Sequence, residues 1–257
     1  VDYVSVKSTT AKNTVGTTPA YPVIEIESSS SGSTFSVEPT TPSVISCPPG
    51  RYLVSYSVEL STTQTGREDV VGKLNYRDDA AANSSGPTIE GSYSYAYLRG
   101  ADGCLDSALN YTGLVEVPEI GGNAGIVFSF SVPTNAVVFA DNLRIQMYSI
   151  PSTTDLIEIK SNTVSLNLSN NIEWDTVTQT SPRYSAANNS SVISANAGYH
   201  LAIANFSKQS GIGGPQRGYP VQRFSIDNVI DYTSGDGGYG RNSGDSARIA
   251  TSTTGII

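Results

Sequence analysis

The chain has 257 residues, of which 15% are charged, and its 15 Lys and Arg against 23 Asp and Glu give a net charge of −8. Lys and Arg supply most nucleic-acid affinity by neutralising phosphates, so we expect no nucleic-acid binding from this acidic chain. No apolar run reaches membrane-spanning length, so we expect no membrane insertion either. Ser, Thr, Asn and Gly dominate the polar positions, which is typical of an all-β extracellular or virion protein with polar turns.

Strand signals recur through the first part of the chain, with turn residues between them. Within residues 51–60, apolar side chains alternate with a mixed set, which predicts one apolar face. No ten-residue stretch shows helical periodicity, and prolines between residues 19 and 49 argue against helix there. Strands are predicted near residues 2–8, 22–27, 43–46, 51–60, 70–76, 92–98, 109–117, 124–132 and 137–149.

The second part begins after a short linker at residues 151–154 and has a similar pattern. Gly-rich loops are expected at residues 208–218 and 231–244. Strands are predicted near residues 155–160, 163–168, 171–176, 191–194, 199–206, 219–227 and 246–251.

The sequence contains an internal repeat. Residues 24–27 (IEIE) match residues 172–175 (IEWD), and SVIS occurs at both 43–46 and 191–194, each at an offset of 148 residues. A repeat of this length predicts two related domains, one at 1–151 and the other at 152–257.

The second copy lacks the last part of the first. Thr112-Gly113 is followed by residues 114–150, whereas the matching Thr254-Gly255 is followed by Ile256 and Ile257 alone. A sandwich cut there has open sheet edges and an uncovered core around Val192, Ile193, Leu201, Ile203 and Phe206. We therefore expect the edge next to residues 251–257 to pair with another chain, or the natural chain to continue.

One strand carries a family resemblance. Residues 47–56 (CPPGRYLVSY) resemble a strand of the complement-type globular heads in the tumour-necrosis-factor superfamily, and residues 111–117 and 142–147 resemble later strands of that family. The resemblance implies an all-β fold of two tandem antiparallel jelly-roll sandwiches, the second incomplete, that assemble as a trimer around a three-fold axis. Related modules are appended to phage virion proteins, and the Asn/Ser/Gly-rich loops favour that kind.

Two groups of residues are candidates for binding. Tyr93, Tyr95 and Tyr97 alternate along one strand and therefore share one of its faces. Three interpretations are open: the rings stack on sugars, they fill the core, or they line a trimer axis. Oxygen ligands from a Gly-rich segment suit Ca²⁺, which makes Asp227, Asp231 and Asp236 a possible cation loop, although their spacing is not that of an EF-hand. No cofactor is expected.

Other reactive side chains favour structural explanations. Ser246 follows Gly-Asp, as some nucleophilic serines do, but the residues after it do not fit such a segment. A nucleophilic serine also needs a base and an oxyanion hole, which the sequence does not indicate here. Glu25 and Glu27 share an exposed strand face, where a solvated pair is more common than a catalytic one. His200 stands where the first copy has Tyr52, so a packed, hydrogen-bonded imidazole is expected. Cys47 and Cys104 are two free thiols or one bridge.

These observations predict a non-enzymatic virion structural or adhesion protein, such as a capsid decoration, a spike or a fibre head. Its expected partners are copies of itself in a trimer, other virion proteins and a host surface glycan or receptor, and its expected location is the virion surface. A secreted, extracellular lectin-like or complement-like module is the alternative, and a glycan-degrading enzyme is a third hypothesis.

Overall fold

The structure is a computed structural model. Among the described residues, a short 3₁₀ turn at Ala82–Ser84 interrupts strands and their connections. Within the described part of the chain, no helix is long and apolar enough to cross a membrane. The prediction of an all-β fold is confirmed. The structure describes residues 1–9, 13–15, 17–41, 43–99, 106–132, 137–160, 176–179, 181–188, 190–209, 217–218, 221–222, 225–226, 229–230, 236–237, 240–241 and 248–256.

The strands of the first part of the chain build a sandwich, and those after Ile150 pair two by two. The first set is β1 (Tyr3–Ser8), β2 (Asn13–Val15), β3 (Ile24–Ser29), β4 (Ser36–Val37), β5 (Val44–Ser46), β6 (Gly50–Thr62), β7 (Arg67–Arg77), β8 (Ser85–Thr88), β9 (Ser94–Arg99), β10 (Asp106–Val117), β11 (Gly125–Ser131) and β12 (Val138–Ile150). The second set is β13 (Ile157–Lys160), β14 (Thr176–Gln179), β15 (Tyr184–Ser185), β16 (Ser194–Ala195), β17 (Leu201–Gln209), β18 (Arg217–Gly218), β19 (Val221–Gln222), β20 (Ser225–Ile226), β21 (Val229–Ile230), β22 (Asp236–Gly237), β23 (Gly240–Arg241) and β24 (Arg248–Ile256).

Two antiparallel sheets form the sandwich. Sheet A has the order β10-β6-β12-β1-β3, with β2 on β12, and sheet B has the order β4-β5-β11-β7-β8, with β9 also on β7. Long strands that follow one another along the chain alternate between the sheets, since β6 and β12 lie in sheet A while β7 and β11 lie in sheet B. This is the connectivity of a jelly roll, which confirms the predicted fold.

The core lies between the inner faces of the two sheets. Alternation along β6 places Tyr52, Val54, Tyr56, Val58 and Leu60 inside, and β11 supplies Ile126, Phe128 and Phe130 from the opposite sheet. Burial of one such side chain contributes roughly 1.5–3 kcal/mol relative to exposure. The ring of Tyr56 lies 4.7 Å from that of Phe128, and its hydroxyl donates a 2.8 Å hydrogen bond to the Ser92 carbonyl. The polar end of this buried ring is therefore satisfied.

A glycine allows two strands of sheet B to approach closely. A Cβ added at Gly125, the first residue of β11, would lie 2.4 Å from the carbonyl oxygen of Ile45 in β5. No real side chain tolerates that distance to backbone. The pairing of β11 with β5 therefore requires glycine at this position.

The chain divides into two compact units, Val1–Ile150 with Leu201–Ile257, and Pro151–His200. These units do not coincide with the ranges expected from the repeat, and the division into domains 1–151 and 152–257 stays a prediction. Val192, Ile193 and Leu201, which the repeat places in a second core, are 63%, 41% and 56% exposed. Of the expected strand at 191–194, only Ser194 lies in a strand, the two-residue β16. The expected strand at 163–168 lies outside the described residues.

Candidate functional site

The outer face of sheet A carries large apolar side chains where a solvated sheet face is usually polar. Alternation along four neighbouring strands turns these side chains away from the core. Register then aligns them, because Leu114 of β10 pairs with Leu53 of β6, Leu53 pairs with Tyr148 of β12, and Tyr148 pairs with Tyr3 of β1. All four are half-buried. We call Leu114, Leu53, Tyr148 and Tyr3 the outer apolar row.

One end of the outer apolar row is held by aromatic stacking and by the backbone. The rings of Tyr3 and Tyr148 are 5.9 Å apart with an angle of 24° between their planes. Next to them, the Asp2 amide donates to Ser149 Oγ at 2.9 Å, and the Ser149 amide donates to the Asp2 carbonyl at 2.8 Å. The end of β1 is therefore fixed on β12, and both rings are held against the sheet.

The carboxylate of Asp2 ties this corner to the loop after β3. Ser30 Oγ, Thr34 Oγ1 and the Thr34 amide donate hydrogen bonds to it. The bond from Ser30 is the main cause that holds the pKa of Asp2 well below its usual range. The ionised form of Asp2 therefore stabilises the fold at this corner.

Polar and charged side chains flank the outer apolar row. Ser55 and Gln146 form the neighbouring register position, and Arg144 of β12 lies beyond them, paired with Ser57 and Lys7. Arg144 contacts Glu27 at 3.2 Å with 62% of its side chain exposed. An apolar band with a charged border is the anatomy of a protein interface.

The two carboxylates of β3, Glu25 and Glu27, form ion pairs with basic side chains of this charged border. Lys7 Nζ lies 3.5 Å from Glu25, and Arg144 lies 3.2 Å from Glu27. A register shift in β1 opposite β3, between Ser5 and Val6, accompanies this arrangement. Glu25 and Glu27 therefore each have a cation as partner on the surface of sheet A.

Tyr93, Tyr95 and Tyr97 lie on the outer side of sheet B. Ser92, Ser94, Ala96 and Leu98 are buried, and the three tyrosines between them are half-exposed. The rings of Tyr93 and Tyr95 are stacked, 6.1 Å apart and inclined by only 2°. A core location for these side chains is wrong, because the strand turns its small side chains and Leu98 inward. Their role as an aromatic binding face or a trimer contact stays a prediction.

The expected cation loop falls outside the described residues. Asp227 and Asp231 are not described, and Asp236 is described only as backbone in β22. Among the described side chains, no group of three or more His, Cys, Asp and Glu is placed to hold a metal ion. A cation at these aspartates stays a prediction.

A polar cleft lies beside Cys47 at the end of sheet B. Arg77 contacts Glu38 at 3.0 Å and Asp79 at 2.7 Å with 12% of its side chain exposed, and its hydrogen bond lowers the pKa of Asp79. Cys47 is a free, buried thiol, and burial raises its pKa to about 12, so it is unreactive at neutral pH. Cys104 lies outside the described residues.

His200, in the unit Pro151–His200, is hydrogen-bonded through both ring nitrogens. Its Nε2 lies 2.7 Å from the Asn196 carbonyl, which only accepts, so Nε2 carries the proton. Its Nδ1 accepts from the Tyr184 hydroxyl at 3.1 Å, and the two rings pack edge to face at 5.4 Å. This is the packed, hydrogen-bonded histidine that the sequence predicts.

No family profile and no curated protein matches the sequence of this chain. Among solved structures, the chain is similar to murine APRIL at pH 5.0, with 9% identity over 57% of this chain and 97% of that chain and a TM-score of 0.39. It is also similar to Eiger TNF from S. frugiperda, with 7% identity over 65% of this chain and 100% of that chain and a TM-score of 0.39. The structure itself defines an antiparallel β-sandwich.

Proposed function

We propose that this protein is a non-enzymatic structural or adhesion module that assembles with copies of itself through the outer face of sheet A. The outer apolar row is the observation that carries the proposal. Contiguous apolar side chains on a sheet face mark interaction sites, because burying them releases roughly 25 cal/mol for each Å² removed from water. The row crosses four neighbouring strands, so it presents one continuous band to a partner.

A second copy of the chain is the partner that the border of the row favours. Arg144 and Lys7 lie beside Glu25 and Glu27, so the same face offers both signs of charge. In a complex of two copies, the basic side chains of one copy can therefore pair with the acidic side chains of the other, and the reverse. The resemblance of residues 47–56 to the complement-type heads implies a three-fold arrangement, and we propose a trimer.

We also propose that the module works on the surface of a virion, as a capsid decoration, a spike or a fibre head. The acidic, Lys-poor composition and the tandem repeat support this setting. Other virion proteins would be its neighbours, and the half-exposed Tyr93, Tyr95 and Tyr97 would contact a host glycan or receptor on the opposite face of the sandwich. A secreted lectin-like or complement-like module is the alternative.

The assembly is tested by charge substitution in the outer apolar row. Leu53→Asp places a carboxylate at the centre of the row, so burial against a second copy would desolvate an unpaired charge. Thr63→Asp is the matched control, because Thr63 is an exposed residue just beyond the far end of β6, outside the outer apolar row and its charged border. Sedimentation should show loss of assembly for Leu53→Asp alone, with circular dichroism unchanged in both. Equal assembly of the two variants would refute the interface.

The setting is tested by finding where the protein accumulates. Antibodies against the sandwich should label purified particles by immunogold electron microscopy. Label confined to the culture supernatant, with bare particles, would instead support the secreted alternative.

A further inference from the structure

One side of the sandwich ends in two edge strands that lie against each other. In sheet A, β10 pairs with β6 and with no other described strand, and in sheet B, β9 pairs with β7 alone among described strands. With twelve residues, β10 is one of the longer strands of the fold. A long edge strand presents unpaired backbone groups and is a ready template for another strand, so it needs a cover.

The hairpin of β17 and β24 provides that cover. These two nine-residue strands pair along their whole length, from Leu201 opposite Ile256 to Gln209 opposite Arg248, and the hairpin lies against both β9 and β10. Asn205 Nδ2 donates a 2.8 Å hydrogen bond to the carbonyl of Thr112, in the middle of β10. The hairpin therefore binds the edge strand β10 through a hydrogen bond to its backbone as well as through packing.

The side chains of this hairpin that the structure describes lie at the surface. Leu201 and Ile256 are 56% and 74% exposed, and none of the hairpin side chains that the structure describes is buried. A two-stranded hairpin is marginally stable by itself. The hairpin should therefore leave the edge far more readily than β10 leaves β6, with which it pairs over all twelve residues.

The connection to the hairpin is long. The sandwich ends with Ile150 and the hairpin starts at Leu201, and residues 151–200 between them form a compact unit of their own. Because no short loop joins the sandwich to the hairpin, the connection does not by itself require the hairpin to dock on its own chain. Exchange of an identical element between copies then requires no new contact surface, because the intramolecular contact is reused.

We propose that the β17–β24 hairpin is exchanged between copies, so that the hairpin of one chain covers the β9–β10 edge of a second chain. The contact between Asn205 and Thr112 is then made across chains, and each exchanged hairpin ties two sandwiches together. This link lies at an edge of sheet A and does not use the outer apolar row. The two associations can therefore succeed or fail separately.

Disulfide trapping tests the exchange. Two chains, one with Asn205→Cys and one with Thr112→Cys, are given tags of different size, unfolded together, refolded and oxidised in a Cys104→Ser background. Cys47 stays in place because its burial keeps the thiol protonated and out of contact with oxidant. Exchange predicts a disulfide-linked pair of unlike chains on a non-reducing gel. Replacing Thr112→Cys by Ser57→Cys, on an exposed position of β6, should abolish this band.

The same two cysteines in one chain give the decisive comparison. If the double variant forms a disulfide only within single chains, and the mixed single variants give no linked pair, exchange is wrong. Absence in the double variant of both a disulfide and a cross-link by a short bismaleimide, which tolerates a wider separation of the thiols, would show that the hairpin does not cover β10, which also overturns the proposal. An assembled but unlinked protein in sedimentation would leave the outer apolar row standing and remove the exchange alone.

Discussion

Tyr3 and Tyr148 stack on the solvent side of sheet A, with ring centroids 5.9 Å apart, although 145 positions separate them in the sequence. Their strands, β1 and β12, are direct neighbours, so the pair continues the row that Leu53 and Leu114 begin. Aromatic pairs of this kind contribute about 0.5–1.5 kcal/mol beyond the burial of their area. The stack therefore stabilises the sheet and also forms one end of the proposed interface.

Removing one ring should weaken assembly more than folding. For Tyr148→Ser, we expect the loss of the stack to lower the free energy of unfolding by about 0.5–1.5 kcal/mol, and the concentration needed for assembly to rise at least tenfold. Gln146→Ser, on the same face of β12, should change neither by a comparable amount. Sedimentation over a dilution series measures assembly, and urea unfolding measures stability. Unchanged assembly in Tyr148→Ser would argue against this end of the interface.

Replacing an aromatic residue of the core should destabilise the protein more than replacing one on the outer face of the sandwich. Phe128 is 1% exposed and contacts Tyr56 and Phe130, so Phe128→Ala should lower the free energy of unfolding by about 3–5 kcal/mol. Tyr93→Ala removes a half-exposed ring stacked on Tyr95 and should cost about 0.5–1.5 kcal/mol. Denaturant titration of both variants gives the comparison. Similar costs would mean that β9 is oriented the other way.

Low pH should remove the stabilisation that the Asp2 carboxylate contributes to the fold. Because its pKa is lowered in the folded state, mainly by the hydrogen bond from Ser30, its carboxylate stabilises the protein above the unfolded pKa of about 3.9. This contribution is lost as the pH falls below about 4, towards the folded pKa. Asp2→Asn should therefore be less stable than the parent chain at pH 7, and the difference should shrink as the pH falls below 4. A difference that stays constant over that range would exclude a titrating Asp2.

Close strand approach should make Gly125 intolerant of a side chain. Gly125→Ala places a methyl group against the Ile45 carbonyl, so β11 must move away from β5, at a cost of about 1–3 kcal/mol. Ala124, the neighbouring residue, already carries a Cβ at a buried position. Ala124→Gly is the matched control and should cost about 0.5–1 kcal/mol. Equal thermal stability of Gly125→Ala and the parent chain would contradict the observed pairing.

The sequence predicts well which face of a strand is buried, but it does not predict which strands are neighbours in a sheet. Alternation along residues 51–60 correctly places Tyr52, Val54, Tyr56 and Val58 inside, because side-chain direction follows from the local backbone. It also implies that Leu53 faces outward. That Leu53 lies beside Tyr148 depends on the pairing of strands far apart in the chain, which no local pattern specifies. For this reason, the outer apolar row cannot be predicted from the sequence.

Long-range partners explain the other omissions. Arg77 meets Glu38 across 39 positions, and Asn205 meets Thr112 across 93, so neither contact leaves a local signal in the sequence. The repeat predicts that Val192 and Ile193 lie in a second core. They are 63% and 41% exposed, whereas Val44 and Ile45 of the matching motif in the first copy are buried.

The mass of the unmodified protein in solution tests the central claim most directly. Self-assembly through the outer face of sheet A predicts, by native mass spectrometry at micromolar concentration, a species of three times the 27.0 kDa chain, which dissociates when Leu53 is replaced by Asp. A single species of 27.0 kDa at every concentration up to the solubility limit would contradict the account, because the outer apolar row would then not hold copies of the chain together.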